Sequence, residues 1–553
     1  MAEKLKIISL GGLNEVGKNI TVFEYKNDIL VVDCGIGFPD GEMYGIDVVI
    51  PNIAYLAKNR DRIRGIVLTH GHEDHIGSVP YVLSDINAPI YATDITAGLV
   101  KLKLEEHKLL DIADINIIEA GKSFKVGCFT VEPIHVNHSI AGAIALAITT
   151  PLGIVLHTGD FKIDTTPIGC NMIDLTRFGE LGKKGVLCML SDSTNAERRG
   201  YSPSELTVGH TLESLFDRCR SRIIVTTFAS NVYRIQQIID ISARYGRKVA
   251  ITGRSMENMI KVSSELGYLE IPKNTLIDLN QVKNFPKEQL TIITTGSQGE
   301  SMSALYRMAF SGHKQLEIVP GDRVIISASA VPGNEVTVSR IVDELFRKGA
   351  EVLYRGCMED LHVSGHACQE ELKVMLALVR PKFFMPVHGD QRHLIAHSEL
   401  AKAVGIPSQN IVISDIGKVV EISRKSISIN GSVPSGKVLV DGTGIGDVGS
   451  VVMRDRKHLA QDGMLVVVLS LSSEDCSIIS GPDIITRGFV YVKEASGLIE
   501  EMRTLVIETL EACNSNGITD WSTLKTSIKT ALSSYLYKTT RRSPMILPVI
   551  MEV

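Results

Sequence analysis

Across roughly the first 200 residues, continuous apolar runs of four to six residues alternate with polar closures. The segments "DILVVDCGIG", "IRGIVLTHGH", "CFTVEPIHVNHS", "GIVLHTGDFKID" and "GVLCMLSDST" share this form. Their apolar members are adjacent rather than alternating, and many are β-branched. Such runs read as strands buried on both faces. Each closes in Asp or His. Functional groups in α/β proteins usually sit there, on the loops beyond strand ends.

From about Thr207 to Ala350 the pattern changes. "SRIIVTTFASN", "RKVAITGRSM", "QLTIITTGSQGE" and "DRVIISASAVPGNE" are apolar runs closed by Gly- and Ser-rich turns, with helix-like stretches such as "NVYRIQQIIDISARYG" between them. This predicts a parallel βαβ series, a second α/β domain. His and Asp return in "HVSGHA" at 362–367 and "FFMPVHGD" at 383–390, so the first domain is interrupted and completed afterwards. After the Gly-rich "KVLVDGTGIGDVG" at 437–449, "GMLVVVLSLSS", "GFVYVKEASGLIEEMRTLVIETLEACNSNG" and "SPMILPVIMEV" predict a small α/β C-terminal domain. The expected boundaries are 1–206 and 353–445 for the split domain, 207–352 for the insertion, 446–463 for a linker and 464–553 for the last domain.

The chain has 553 residues, too many for one core. Hydrophobic content of 44% and charged content of 22% are ordinary for a globular protein. No apolar run nears the ~18 residues of a membrane span, and "MAEKLKIISLGG" lacks a signal peptide's apolar core. A cytoplasmic protein without a membrane partner is expected. The nine cysteines contain no CxxC pair, which fits free thiols rather than a disulfide framework. A net charge of −5 neither suggests nor excludes a nucleic-acid partner.

The segment "LTHGHEDHIG" gathers His70, His72, Asp74 and His75 behind a strand. Imidazole and carboxylate are what Zn²⁺ takes when thiolates are absent. His70 and His72 can face one position while Asp74 and His75 face a second, as in a two-metal site. His138, Asp160 and His388, each at a strand end, are the candidates for completing it. His135 and His157 lie inside strands and are assigned to packing.

HxHxDH after a strand resembles the metallo-β-lactamase fold, two stacked sheets flanked by helices. That resemblance implies one zinc on His70, His72 and His138, a second on Asp74, His75 and His388, Asp160 bridging them, and Asp33 supporting the site. The insertion after "SDST" (Asp192), then "HVSGH" (His366) and "PVHG" (His388), resembles the β-CASP nucleases. "GGLNEVGKN", "TGDFKID", "FASNVYRIQQ", "TTGSQGE", "HVSGHACQEELK", "PVHGDQRHL" and "RRSPMILPVIMEV" are similar to the bacterial ribonuclease J family over essentially the whole chain. One departure is Ala367-Cys368, where many members have Gly after His366.

The resemblance implies a zinc-dependent ribonuclease, with Mn²⁺ able to substitute, that cuts single-stranded RNA by 5′→3′ exonuclease and endonuclease modes. It leaves 5′-phosphate and 3′-OH ends and serves messenger decay and ribosomal RNA maturation. Asp74, Asp192 and His366 are its expected catalytic residues. His362, Val363, Ser364, Gly365 and His366, with Ser230 and Asn231, are its expected substrate contacts. It also implies a structural Ca²⁺ at Gly45, Asp47 and Asp441, and a homodimer or homotetramer, or a heteromer with a paralogue. A DNA-cutting relative, a small-molecule metallo-hydrolase and a catalytically weak binding subunit are the competing readings.

Overall fold

The computed structural model describes residues 3–217, 219–300, 302–331, 333–473, 475–490 and 496–553. Two sheets form the heart of the split domain. An eight-stranded sheet carries Leu5–Gly11, Ile20–Tyr25, Asp28–Val32 and Ile63–Val67 side by side. A six-stranded sheet contains Phe129–His135, Ile144–Thr150, Gly153–His157, Val186–Asp192 and Phe383–Val387. Phe23, Leu30, Val32 and Val67 of the first pack against Leu146, Val155, Leu190 and Met385 of the second. Helices Leu175–Lys184, Gln369–Val379 and Gln391–Ala403 give Phe178, Leu376 and Ala401 to a core shared with Leu156, Met189 and Phe384 of the six-stranded sheet. The strands are apolar on both faces because both faces are covered.

Parallel pairing sets the site. Gly153–His157 runs parallel to Val186–Asp192, which runs parallel to Phe383–Val387. Their carboxyl ends therefore emerge together and deliver Asp160, Asp192 and His388 to one place. In the other sheet Ile63–Val67 lies parallel to Asp28–Val32, so Asp33 and the His70 loop also emerge side by side.

The insertion is a five-stranded, wholly parallel sheet with Ile223–Thr226 at its centre and a core of its own. The C-terminal segment forms a three-stranded sheet, with Met464–Leu471 between Ile478–Arg487 and Met545–Glu552. Helices Ser496–Ser515 and Trp521–Thr540 belong to the same segment, and residues 491–495 of its predicted strand-to-helix stretch lie outside the described residues.

The chain divides into two compact units, one of residues up to Phe38 with Val49–Val438, the other of Pro39–Val48 with Leu439–Val553. The change of unit comes between Val438 and Leu439, inside the strand Lys437–Asp441, which pairs with Gly444–Ile445 in a hairpin that ends where the sequence reading drew its boundary, at 445. The expected linker at 446–463 contains a helix, Ser450–Asp462.

Candidate metal centre

Beyond Val67 the chain turns through Thr69 into His70, and His72 stands in extended backbone before a one-turn helix, Glu73–Ile76. That break in conformation points His70 and His72 to one side and leaves Asp74 and His75 on the helix beyond. His70, His72, His138 and Asp160 each offer an atom within 4.8 Å of the others, and so do Asp74, His75, Asp160 and His388. These are the two sets expected from the sequence, with Asp160 in both.

The spacing is that of ligands around a shared ion. His72 Nδ1 stands 3.1 Å from His70 Nε2 and 3.1 Å from His138 Nε2. Tetrahedral Zn–N bonds place ligand nitrogens about 3.3 Å apart. Asp160 Oδ2 lies 3.6 Å from His70 Nε2, 3.3 Å from His75 Nε2, 3.4 Å from His388 Nε2 and 3.8 Å from His138 Nε2. Asp74 Oδ2 completes the second set, 3.6 Å from His75 Nε2 and 3.7 Å from His388 Nε2. The donor set, imidazole and carboxylate without thiolate, fits zinc or manganese.

The surroundings tune and orient these groups. Burial pushes His72 and His138 down to about 3 and His70 well below its ordinary value, so all three rings are neutral and offer lone pairs. Burial is the largest single influence on His388 and works against charge, but the carboxylates of Asp160, Asp192 and Asp74 together outweigh it and lift that ring to about 9. Asp33, whose φ is +63°, accepts from the Thr69 N–H (2.7 Å) and hydroxyl (2.9 Å) and lies 2.8 Å from His75 Nδ1. It thus supports the site from behind, as expected. Asn19, in "GGLNEVGKN", donates to the Asp74 carbonyl at 3.1 Å and was not singled out from sequence. A side chain that serves a backbone carbonyl leaves no spacing pattern to read.

Asp192 and His366 form a pair at 2.8 Å. Asp192 Oδ1 also accepts from the backbone and hydroxyl of Thr194, at 2.9 and 2.7 Å. Burial opposes charge on His366, Asp192 favours it, and the net shift is upward. His366 is therefore a cation-capable group held beside the two sets.

The expected substrate segment is more tightly engaged than the sequence implied. Ser364 Oγ accepts from Asn195 Nδ2 at 2.8 Å and from the His366 N–H at 3.3 Å. The Gly365 carbonyl lies 2.7 Å from His138 Nδ1, and Val363 is buried. His362 Nδ1 accepts from Arg234 at 3.1 Å. Arg234 is itself fully buried, doubly bonded to Glu205 and bonded to the Ser327 carbonyl. Ser230 Oγ lies 3.0 Å from His72 Nε2, so it holds a ring of the first set. Asn231 caps the helix Val232–Arg244 by accepting from the Arg234 N–H through its amide oxygen, a structural contact that leaves the amide N–H donors to its expected role. Arg234 and Glu205 carried no sequence signal, being ordinary charged residues on amphipathic helices. His135 is held by the Asn171 carbonyl at 2.8 Å, while His157 is buried and accepts from the Gly159 N–H.

The residues expected to hold calcium lie beside an internal cation. Asp441 Oδ2 accepts from Arg456, whose guanidinium also donates to the Tyr44 carbonyl at 3.0 Å and lies 2.9 Å from where a Cβ on Gly45 would stand. Asp47 accepts from the Gly442 N–H at 2.8 Å. Arg456 thus serves Asp441 and the Tyr44 carbonyl, while Asp47 is served by backbone.

Comparison with known proteins decides the family. The ribonuclease J β-CASP domain profile matches residues 220–345 and the ribonuclease J C-terminal domain profile residues 451–553. The metallo-β-lactamase superfamily matches 13–168, and a Zn-dependent metallo-hydrolase RNA specificity domain 354–412. Ribonuclease J2 of Bacillus subtilis (strain 168) is 43% identical over 100% of this chain and 99% of its own. This chain belongs to the ribonuclease J family. Ribonuclease J 1 of Streptococcus pyogenes serotype M3 is 41% identical over 99% of this chain and 97% of its own. Ribonuclease J of Thermus thermophilus is 42% identical over 100% and 96%. A structure of a protein of unknown function from Enterococcus faecalis V583 covers 76% of this chain and 100% of its own, with a TM-score of 0.54 at 17% identity, which speaks for the fold alone. As a member of the ribonuclease J family the chain is a metal-dependent ribonuclease.

Proposed function

We propose that the chain is a two-zinc ribonuclease that cuts single-stranded RNA both from the 5′ end and internally, leaving 5′-phosphate and 3′-OH ends, in messenger turnover and ribosomal RNA maturation. One observation carries the reading: Asp160 Oδ2 lies within 3.8 Å of imidazole nitrogens from both sets, the place of a bridging carboxylate. On this reading His70, His72 and His138 hold one zinc, Asp74, His75 and His388 the other, and Mn²⁺ substitutes. Bound there, the ions supply an activated water at neutral pH and neutralise charge at phosphorus.

The chain's own residues do the rest. Asp192 orients His366 and favours its protonated form, so His366 can give a proton to the departing 3′-oxygen. Ser364, whose acceptor positions are engaged, still has its hydroxyl proton to offer a phosphate oxygen. Gly365 allows close backbone approach at that point. His362, neutral and pinned by Arg234, keeps its Nε2–H as a donor. The apolar sheet of the C-terminal segment supports assembly as a homodimer or homotetramer, or with a paralogue.

The test uses one single-stranded RNA labelled at either end, with its DNA counterpart, alongside elemental analysis. Cleavage of RNA that chelator stops and zinc or manganese restores, with about two ions per chain, is expected. Asp74→Ala should abolish cutting at an unchanged circular dichroism spectrum, because it sits on a short loop helix outside the sheets. Active protein without a transition metal, or a fully active Asp74→Ala, would overturn the assignment.

A further inference from the structure

A metal-ligating imidazole needs its outer ring nitrogen held, because that bond fixes the tautomer and the ring's aim. Four rings of the two sets meet this demand directly. Thr69 Oγ1 lies 3.1 Å from His70 Nδ1, Ser230 Oγ 3.0 Å from His72 Nε2, Asp33 2.8 Å from His75 Nδ1 and the Gly365 carbonyl 2.7 Å from His138 Nδ1. His388 is the exception. Its Nε2 faces Asp160 and Asp74, yet its Nδ1 is buried with no partner among the described residues.

A small cavity lies against this ring. Ser9, Thr21 and His157 line it together with His388, and it reaches His75 and Asp160 of the metal centre on its other side. Ser9 is buried on the strand Leu5–Gly11, and its Oγ is likewise without a partner among the described residues. The same strand end holds the backbone of the ring, for the His388 N–H donates to the Gly12 carbonyl at 2.8 Å. Buried polar groups that find no protein partner are commonly served by an ordered water. The cavity's volume, about 10 Å³, is close to what one water needs, about 10–15 Å³ counted as space open to its centre.

We propose that one water bound in this cavity accepts from His388 Nδ1–H, donates to Ser9 Oγ, and so fixes the tautomer that presents Nε2 to the second metal position. Ser9 is then a positioning residue, acting on the metal through a water and an imidazole. The inference rests on the reading of His388 as a ligand.

The experiment measures zinc dissociation by competition with a chromogenic chelator for the wild type, Ser9→Ala, Ser9→Val and Ser263→Ala. Ser263 is another buried hydroxyl without a partner among the described residues, remote in the insertion, and serves as control. Ser9→Ala removes the water's acceptor, and Ser9→Val fills the space as well. Loss of an outer partner costs a metal site about tenfold or more in affinity. One of two zincs should therefore bind about tenfold more weakly in both Ser9 variants and unchanged in Ser263→Ala, at equal thermal midpoints of the metal-free proteins. A crystal structure of the zinc-loaded wild type should show a water within hydrogen-bond distance of both atoms. Wild-type affinity in Ser9→Val, or a dry cavity in that crystal, overturns the proposal. A wild type that binds no zinc overturns the metal reading instead, and this proposal, which rests on it, falls with it.

Discussion

Ser364 accepts hydrogen bonds from Asn195 and from His366 two residues on, so part of its role is to hold the turn that aims His366. If its proton also grips a terminal phosphate, Ser364→Ala should slow cutting of 5′-monophosphate RNA more than of the same RNA with a blocked 5′ end, whereas His366→Ala should slow both. Equal losses for Ser364→Ala would leave it only the turn. Two other imidazoles bear on stability. Burial holds His397 at about 3, and burial with the Arg234 charge holds His362 at about 2, against about 6.5 in an unfolded chain. Both folded values are depressed, so the unfolded chain binds more protons below about 6.5. The stability these groups contribute is complete above that pH and falls as pH drops, approaching about 1.4 kcal/mol per pH unit for each. The thermal midpoint should decline from pH 7 to 5, and His397→Gln, which removes one such group, should flatten the decline. A slope unchanged by that substitution would count against the buried neutral imidazole. His397 was illegible in the sequence because a histidine inside a helix gives no sign of whether water reaches it.

At the level of strands and helices much was legible, for a definite reason. The five apolar runs of the first 200 residues became strands because both their faces are covered, and each polar closure fell at a strand end. Once parallel pairing is granted, residues distant in sequence, Asp160, Asp192 and His388, must meet. The local cluster at His70 to His75 could be read because its ligands are neighbours in the chain. What stayed hidden are contacts made by groups common everywhere. Asn231 looks like a loop donor, yet the following helix takes its oxygen as a cap. Asp441 looks like an oxygen ligand, and the spacing gave no hint that Arg456, fifteen residues on, pairs with it. This last contact makes a prediction. Chelating Ca²⁺ should leave the thermal unfolding of the metal-loaded enzyme unchanged, provided zinc is kept saturating. Arg456→Met should destabilise it by at most about 1 kcal/mol, since Asp441 and the Tyr44 carbonyl lose their donor where water can partly replace it. A midpoint that falls on removal of calcium from the wild type would restore the metal to that position.

For the molecule as a whole, the C-terminal sheet shows an open apolar face. Leu465, Val467, Leu469 and Leu471 are buried in a core with Met502, Val506, Leu510, Leu524, Ile528, Leu532 and Leu536 of the two long helices. Side chains alternate along a strand, so Val466 and Val468 face the other way. Val466 is registered beside Leu547 and Ile485, and Val468 beside Val549 on one side and the exposed Asp483 on the other, so the apolar part of the face lies toward Met545–Glu552. Leu547, Ile485 and Met551 are exposed by 51%, 46% and 48%, which makes this a contiguous patch and not a scatter of single residues. The strands Ile478–Arg487 and Met545–Glu552 are moreover the edges of the sheet, each with one side unpaired within it. An exposed apolar face with open edges invites a partner sheet. A second copy of the chain offers the same face, and a two-fold contact of like with like closes on itself without leaving further sites open. Deleting residues 464–553 should therefore move the protein toward monomer in light scattering and lower its activity. The sharper test is Leu547→Glu with Val549→Glu, which places charge on the open face while Ile546 and the helix-covered core stay as they are. This variant should keep its helical circular dichroism and its zinc yet lose mass in solution. If it keeps the wild-type oligomeric mass, assembly runs through another surface and the apolar face needs a different occupant.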